Sequence, residues 1–280
     1  MTTIVFIHGR GQEGRDPLVL LEEWRTALCA GLGTTALATR AVLPYYGNVL
    51  HRVTAEAARR ADVLESLPEG DTEEMPFHPF LPQEVGELER SLIADLAMTS
   101  GAPPAALGIE DVLTWALARR MLAWVSQRTS VDKEIIKIFL QDVAVYLSHG
   151  RQPVLAEVRR SLPASGPIVL VSHSLGTVVA RDLLVEERLR QRVALWVTAG
   201  SPLGLPTVQR NLLAKGTKHP GVPWLTAYDV NDIVALGHPL DPPWGMPLNQ
   251  IEVQNHDAPH AIDRYLRHRT VATPIGKACA

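Results

Sequence analysis

The sequence predicts an α/β protein with a mostly parallel sheet of about six strands, flanking helices and a helical cap insertion. Short apolar runs alternate along the chain with longer helical patterns, as expected for a parallel sheet covered by helices. The stretch 47–150 interrupts this alternation with helical patterns of its own. A serine-centred segment also joins an apolar run to a helical pattern with no turn residues between them.

The first elements lie before the insertion. Residues 4–7 are continuously apolar and predict a buried strand that ends in an HGRG segment. Residues 18–32 predict a helix, because a proline stands near the first turn and glycines stand at the end. Residues 36–43 predict a second strand, which Pro44 stops.

The same alternation resumes after the insertion. Each further strand is a short apolar run, and each helix has apolar residues at helical spacing. The predicted elements are a helix over 154–162, a strand over 168–171, a helix over 175–190, strands over 193–197, 224–228 and 250–253, and a helix over 261–268. Residues 1–46 and 151–280 therefore form the predicted core, and residues 47–150 form the predicted cap.

The insertion contains a predicted loop and two helical patterns. Residues 66–86 are rich in Pro, Glu and Gly, which is typical of a surface loop. Thr129 and Asp132 stand in capping-box spacing before the second pattern. The residues that share one face are Leu113, Leu117, Met121 and Trp124 in the first pattern and Ile136, Phe139, Leu140, Val143 and Leu147 in the second.

Composition excludes several classes of partner. Twenty-seven Lys and Arg oppose 30 Asp and Glu, for a net charge of -3, and no basic patch suited to nucleic acid is visible. The start resembles no signal peptide and no apolar stretch reaches 18 residues, so we expect a soluble, cytoplasmic protein without an integral membrane segment. Cys29 and Cys279 lack metal-ligand spacing, so we expect neither a disulfide framework nor a metal site.

The candidate nucleophile is Ser174 in the segment SHSLG, residues 172–176. Apart from Ser172, this segment matches G-x-S-x-G, in which a serine sits on a sharp turn between a strand and a helix. The outer positions must be small because the strand and helix backbones approach closely there. A serine N-cap is the alternative, but it explains only one residue of the pattern.

The chain has an HG segment after the first strand, the segment SHSLG, the later segment YDVNDIVA and a late histidine. In these segments it resembles the α/β-hydrolase superfamily, in particular its lipase-like members. The resemblance covers residues 4–15 and 142–266. It implies an α/β-hydrolase fold that lacks the first two strands usual in the family. It also implies that the acid and the histidine of a catalytic triad follow the serine in that order.

The triad acid and base each have more than one candidate. The resemblance favours Asp232, in NDIV, over Asp229, while Asp241 lies in a Pro-rich segment. The family's H-x-x-x-x-Y-L tail favours His260, which stands at the start of the last helical pattern, over His256. We interpret His238, His219 and His268 as loop or surface residues.

The resemblance also implies an oxyanion hole of two backbone N–H groups, one from Leu175 and one from Arg10. The side chain of Arg10 is then not required for the chemistry. We interpret His8 as a residue that holds this loop by hydrogen bonding, and His173 as a packing residue of the serine turn.

These residues predict a serine hydrolase that cleaves a carboxylic ester or thioester of a hydrophobic substrate through an acyl-enzyme. The apolar faces of the insertion suggest the hydrophobic substrate. No cofactor is expected, because phosphate-binding glycine loops are absent from the sequence. Two alternatives remain open: an acyltransferase or cyclase with the same triad, and a non-catalytic binding protein of the same fold.

Overall fold

The computed structural model describes residues 1–65, 83–101, 133–240, 242–245 and 248–280. The chain divides into two compact units. The first unit comprises Met1–Asn48 and Val154–Ala280, and the second comprises Val49–Pro153. The sheet and every described candidate site residue belong to the first unit.

The described residues form one six-stranded sheet in which every pair of neighbouring strands is parallel. This confirms the predicted α/β class and the strand number. The strands are β1 (Thr3–Ile7), β2 (Arg40–Val42), β3 (Ile168–His173), β4 (Val193–Ala199), β5 (Trp224–Tyr228) and β6 (Leu248–Glu252). Their spatial order is β2-β1-β3-β4-β5-β6.

The helices begin and end at the following residues. In the first unit, or starting there, they are α1 (Pro17–Leu32), α2 (Gly47–Glu65), α6 (Leu175–Leu183), α7 (Glu187–Arg190), α8 (Pro206–Asn211), α9 (Ile262–Arg267) and α10 (Arg269–Cys279). In the second unit, or starting there, they are α3 (Gln83–Thr99), α4 (Lys133–Val145) and α5 (Arg151–Ser161). A π-helical turn, Tyr146–Gly150, joins α4 to α5.

A buried apolar cluster joins alternate strand residues to helices α1, α9 and α10. Strand residues that alternate in sequence face the same side of a sheet, so this cluster marks one face. Trp24 of α1 packs against Phe6 of β1 with ring centroids 5.2 Å apart. The cluster includes Ile4, Phe6, Val169, Val171, Val197, Ala199, Leu225 and Ala227 from the strands and Leu20, Trp24, Leu28, Tyr265, Leu266, Val271 and Ile275 from the helices.

The strand order reverses next to β1. The chain passes from β1 outward to β2 and later returns to β3 on the other side of β1. In open parallel sheets, such a reversal leaves a crevice at the carboxyl ends of the two central strands, where ligands bind. The segments that follow β1 and β3 meet at this edge of the sheet.

Several predicted elements have other bounds in the structure; the strand predicted over 250–253, for example, is Leu248–Glu252. Two elements differ more strongly. The predicted strand over 36–43 shrinks to β2, because this edge strand pairs on one side only, with Thr3, Ile4 and Val5 of β1. The predicted helix over 175–190 is divided into α6 and α7. The division falls at Glu186, whose extended backbone (φ -76°, ψ 109°) cannot continue a helix.

The end of the chain also departs from the prediction. Helix α9 begins at Ile262, with Ala261 as its N-cap, so His260 precedes the helix instead of opening it. A second helix, α10, follows after His268 and was not predicted. Pro274 lies inside α10, and an interior proline is a strong signal against a helix.

The second unit contains helices that pack on one another. Helix α3 contacts α4. It begins at Gln83, inside the predicted loop 66–86, and residues 66–82 lie outside the described residues, as do the pattern over 111–127 and the cap at Thr129 and Asp132. The predicted apolar face of α4 and the following turn is buried, at Ile136, Phe139, Leu140, Val143 and Leu147.

Within the described ranges, none of the helices combines the length and the apolar composition that a bilayer crossing requires.

Candidate active site

Ser174 lies on a sharp turn between β3 and α6. Its backbone angles, φ 55° and ψ -132°, fall in a region that residues with a side chain rarely adopt. Hydrogen bonds hold this conformation: the Ser174 N–H donates to the Ala199 carbonyl, and Thr177 donates to the Ser174 carbonyl through both its N–H and its hydroxyl. A Cβ atom at Gly176 would lie 2.3 Å from the Ile7 carbonyl oxygen, so only glycine fits there.

Ser172 occupies the position where the motif usually has glycine. Its hydroxyl donates to the carbonyl oxygen of Val197 over 3.0 Å and accepts from the indole N–H of Trp196 over 2.9 Å. Both partners lie on the neighbouring strand β4, and Ser172 is fully buried. The structure therefore accommodates the additional side chain because both its donor and its acceptor capacity are used.

The structure brings the predicted triad residues together. His260 Nε2 lies 3.0 Å from Ser174 Oγ, and His260 Nδ1 lies 2.9 Å from Asp232 Oδ2. Because an ionised carboxylate only accepts hydrogen bonds, Nδ1 carries the proton and donates to Asp232. The lone pair of Nε2 then faces Ser174 and can accept the proton of the serine hydroxyl.

Asp232 is buried and has three hydrogen-bond donors. Its Oδ1 accepts from the N–H of Val234 over 2.9 Å, and its Oδ2 accepts from both His260 and the hydroxyl of Tyr265, the latter over 2.8 Å. Burial, followed by the charge of Asp232, raises the pKa of Tyr265, so its hydroxyl stays protonated and donates. No role for this tyrosine was predicted from the sequence.

Asp229, the alternative acid, has other partners. Its Oδ1 accepts from the N–H of Asn231 over 2.8 Å, and its Oδ2 accepts from the N–H of Asn255. The Asp229 N–H donates to the hydroxyl of Tyr265 over 3.0 Å. Asp229 therefore joins the turn after β5 to the segment after β6. Asp241, the third candidate, lies outside the described residues.

The segment that carries His260 is held at two successive carbonyls. The side-chain amide of Asn255 donates to the Pro259 carbonyl, and the Nε2–H of His173 donates to the His260 carbonyl, both over 2.8 Å. Burial, followed by the charge of His260, lowers the pKa of His173 to about 3, so this ring stays neutral. His256, the alternative base, is exposed and has a positive φ of 55°.

Of the predicted oxyanion-hole residues, Leu175 follows Ser174 in the chain, and Arg10 follows Gly9, which lies close to Ser174 in space. Leu175 opens α6, where the first backbone N–H groups have no partner inside the helix. Gly9 lies so close that a Cβ atom there would be 2.8 Å from Ser174 Cβ. Arg10 follows Gly9, and its carbonyl accepts from the side-chain amide of Gln12.

His8 holds the loop after β1, as the sequence analysis expected. Its Nδ1–H donates to the Gly9 carbonyl over 2.7 Å, and its Nε2 accepts from the N–H of Tyr46 over 3.1 Å. Its ring stacks on that of Tyr46 with centroids 4.0 Å apart, and the Tyr46 hydroxyl donates to the His8 carbonyl. Burial lowers the pKa of His8 to about 4, which keeps the ring in this neutral form.

The three histidines predicted to be loop or surface residues, His238, His219 and His268, all take part in hydrogen bonds. His238 donates from Nδ1 to the Ala235 carbonyl and accepts at Nε2 from the hydroxyl of Thr226, so it is a loop residue but not a free surface residue. His268 bonds to Asn255. His219 is half-buried, and its Nδ1 accepts from the backbone N–H of Gly221.

Within the described part of the chain, no three His, Cys, Asp or Glu side chains cluster in a way that could hold a metal ion. No family model, curated protein or solved structure matches this sequence. Any assignment of function therefore depends on the geometry of Ser174, His260, Asp232 and the groups that hold them.

Proposed function

We propose that the protein is a serine hydrolase of the α/β-hydrolase type that cleaves a carboxylic ester or thioester through an acyl-enzyme. One observation carries the proposal: Ser174 Oγ, His260 and Asp232 form a continuous hydrogen-bonded line, with distances of 3.0 and 2.9 Å. A serine hydroxyl needs a base to remove its proton, and the base needs a third group that fixes its tautomer. The line provides both.

The acylation step follows from this geometry. Ser174 Oγ attacks the acyl carbon while His260 Nε2 accepts the hydroxyl proton, and Asp232 stabilises the imidazolium that results. The bond to the leaving group then breaks, and the alcohol or thiol departs with the proton from Nε2. Water repeats the sequence against the acyl-enzyme: it gives a proton to His260, releases the acid and restores Ser174.

The carbonyl oxygen gains negative charge during attack and needs donors that are already in place. We assign this role to the backbone N–H groups of Leu175, which follows Ser174, and of Arg10, which follows Gly9. Each such donor typically contributes about 3 kcal/mol to the stabilisation of the transition state. Because the donors are backbone groups, substitution of the Arg10 side chain is expected to leave this contribution in place.

The triad geometry supports cleavage of an ester or thioester bond, but it does not identify the acyl group of the substrate. The expectation of a hydrophobic substrate came from the apolar face of the inserted helices. The described residues of that face, such as Phe139 and Val143, are buried, and packing accounts for their apolar character.

The test compares Ser174→Ala with the matched control Ser172→Ala, which removes a hydroxyl that bonds only to β4. A fluorophosphonate should label the wild type and Ser172→Ala, but not Ser174→Ala. Turnover of short-chain esters and thioesters should fall by about 10⁶ in Ser174→Ala if the triad acts as a unit. Undiminished turnover by folded Ser174→Ala would refute the proposal.

Added alcohols and amines distinguish hydrolysis from acyl transfer. A hydrolase should release mainly the free acid when these nucleophiles are present at low concentration. Transfer of most of the acyl group to them would assign the same triad to an acyltransferase. A wild-type protein that resists the fluorophosphonate altogether would indicate a non-catalytic binding protein.

A further inference from the structure

Tyr265 contacts the same carboxylate oxygen that His260 uses. The Tyr265 hydroxyl donates to Asp232 Oδ2 over 2.8 Å, and His260 Nδ1 donates to that oxygen over 2.9 Å. The phenol is fully buried in the first turns of α9, which follows the His260 segment. It is therefore a second donor at the point where the triad acid meets its histidine.

A second hydrogen bond, from the backbone of Asp229, fixes the orientation of the Tyr265 hydroxyl. The Asp229 N–H donates to the Tyr265 oxygen over 3.0 Å, so the hydroxyl proton is left for Asp232. Both bonds lie in the turn after β5, where Asp232 Oδ1 also accepts from Val234. The buried phenol and carboxylate and the half-buried imidazole thus form one hydrogen-bonded chain, in which Tyr265 and His260 both donate to Asp232.

We propose that Tyr265 is a positioning residue that sets the basicity of His260 through Asp232. This inference rests on the proposed function. It adds that Tyr265 determines the pH range in which the site is active. A donor to Oδ2 spreads the negative charge of the carboxylate, which weakens the attraction of Asp232 for the imidazolium. His260 therefore loses its proton, and becomes a base, at a lower pH than it would without the phenol.

Other ionisable groups face this pair, and the experiment must keep them constant. The ring of His173 is tilted against that of His260, with centroids 4.6 Å apart, and its centroid lies 6.3 Å from that of Tyr265. Burial keeps its pKa at about 3, so it is neutral across the working range. The groups that face Asp232, His260 and Tyr265 from the surrounding elements are His173, Asp229 and His238, with His8 beyond His173.

The first experiment replaces Tyr265 by Phe and follows kcat/KM for an ester against pH. Removal of the hydroxyl should move the acidic limb to higher pH by about one unit, because the Asp232–His260 pair then binds its proton more tightly. Tyr228→Phe is the matched control, since it removes the phenol hydroxyl of a tyrosine in β5, the strand that leads into the turn of Asp232. Its acidic limb should coincide with that of the wild type.

A second variant tests the opposite direction and preserves the shape of the side chain. Incorporation of 3,5-difluorotyrosine at position 265 lowers the pKa of the phenol and makes its hydroxyl a stronger donor. The acidic limb should then move to lower pH. This variant also covers the case in which Tyr265→Phe unfolds, because it retains the acceptor for the Asp229 N–H.

A measurement independent of turnover separates this inference from the proposed function. In ¹⁵N-histidine NMR, the titration of His260, assigned with His260→Gln, should move in the same two directions in the two variants. If the His260 titration and the acidic limb of kcat/KM are the same in the wild type and both Tyr265 variants, the proposed role of Tyr265 is wrong, even if the wild type hydrolyses esters. Shifted titrations in a protein without esterase activity would retain that role and reject the hydrolase assignment.

Discussion

His173 and His260 are joined by a hydrogen bond in which the Nε2–H of His173 donates to the backbone carbonyl of His260 over 2.8 Å. The two residues lie far apart in the sequence, one directly before Ser174 and the other after β6. The bond therefore joins the segment that carries His260 to the segment that carries Ser174. Its donor is a neutral imidazole, which adds no competing charge beside His260.

The role of His173 predicts an effect on kcat. In His173→Leu, loss of the donor should loosen the His260 segment and lower kcat by about tenfold to a hundredfold, with KM nearly unchanged. His173→Gln retains an N–H donor and should recover part of kcat. Steady-state kinetics on both variants measure this. Equal losses in the two variants, or a loss confined to KM, would contradict the role.

The choice of the triad acid predicts unequal effects of two neighbouring substitutions. Asp232→Asn should lower kcat by about 10⁴, because an amide no longer selects the productive tautomer of His260. Asp229→Asn should mainly lower the free energy of unfolding, by about 1 to 3 kcal/mol, because its carboxylate accepts from the N–H groups of Asn231 and Asn255. Kinetics and urea denaturation separate the two, and the reverse order of kcat losses would make Asp229 the acid.

The backbone conformation of Ser174 predicts that activity and stability oppose each other at this position. Ser174→Gly and Ser174→Ala both remove the hydroxyl, so their difference isolates the cost of a Cβ atom at φ 55°. The glycine variant should be more stable than the alanine variant by about 1 to 3 kcal/mol. Thermal and urea denaturation test this, and equal stabilities would show that the turn is unstrained.

The close approach at Gly176 predicts a destabilising Gly→Ala substitution. A Cβ atom there would lie 2.3 Å from the Ile7 carbonyl oxygen, and a fixed backbone group cannot move aside. Gly176→Ala should cost about 1 to 3 kcal/mol or more. Gly276→Ala is the control in another helix, α10, because its contact is the flexible end of Leu32 and alanine favours the helix. Urea denaturation should rank Gly276→Ala well above Gly176→Ala in stability.

Buried neutral histidines predict that stability falls in mild acid. The pKa values of His8 and His173 drop from 6.5 to about 4 and about 3 on folding, because burial disfavours their charged forms. The unfolded chain therefore binds more protons below pH 6.5. The stability these residues contribute is fully present above pH 6.5 and is lost as the pH falls towards their folded pKa values.

A single substitution isolates this effect. Below pH 6, the free energy of unfolding should fall with decreasing pH in both proteins. The slope for His173→Gln should be smaller than that for the wild type by about 1.4 kcal/mol per pH unit. The free energy of unfolding, measured by urea titration between pH 7 and pH 4, gives both slopes. Parallel slopes would show that His173 takes up a proton in the folded protein.

The central strands β1, β3, β4 and β5 were predictable because each contains a short apolar run, whereas the edge strands β2 and β6 are partly polar and have other bounds than predicted. Residues 224–228 form β5 with the predicted bounds, since Pro223 and Asp229 enclose five buried residues. Helix boundaries were less predictable. Glu186 carries no strong helix-breaking signal, yet its extended backbone separates α6 from α7. Pro274 disfavours a helix locally, and in α10 tertiary packing overrides that preference.

The candidate triad could be located because each residue follows a predicted strand on the carboxyl edge of a parallel sheet. The groups that support it could not be identified in the same way. Asn255 and Tyr265 act through side-chain hydrogen bonds to partners that are remote in the sequence. The only sequence signal for Tyr265 was its place in the H-x-x-x-x-Y-L tail.

The second unit is inserted between β2 and β3, although β1 pairs directly with β3 through Thr3 and Ile168. During synthesis on a ribosome, the apolar strand β1 must therefore wait for its central neighbour while the whole second unit emerges. The large sequence separation between β1 and β3 raises the contact order of the fold, and a higher contact order slows folding. We therefore expect the apolar residues of β1 to stay without their β3 partner until late in folding.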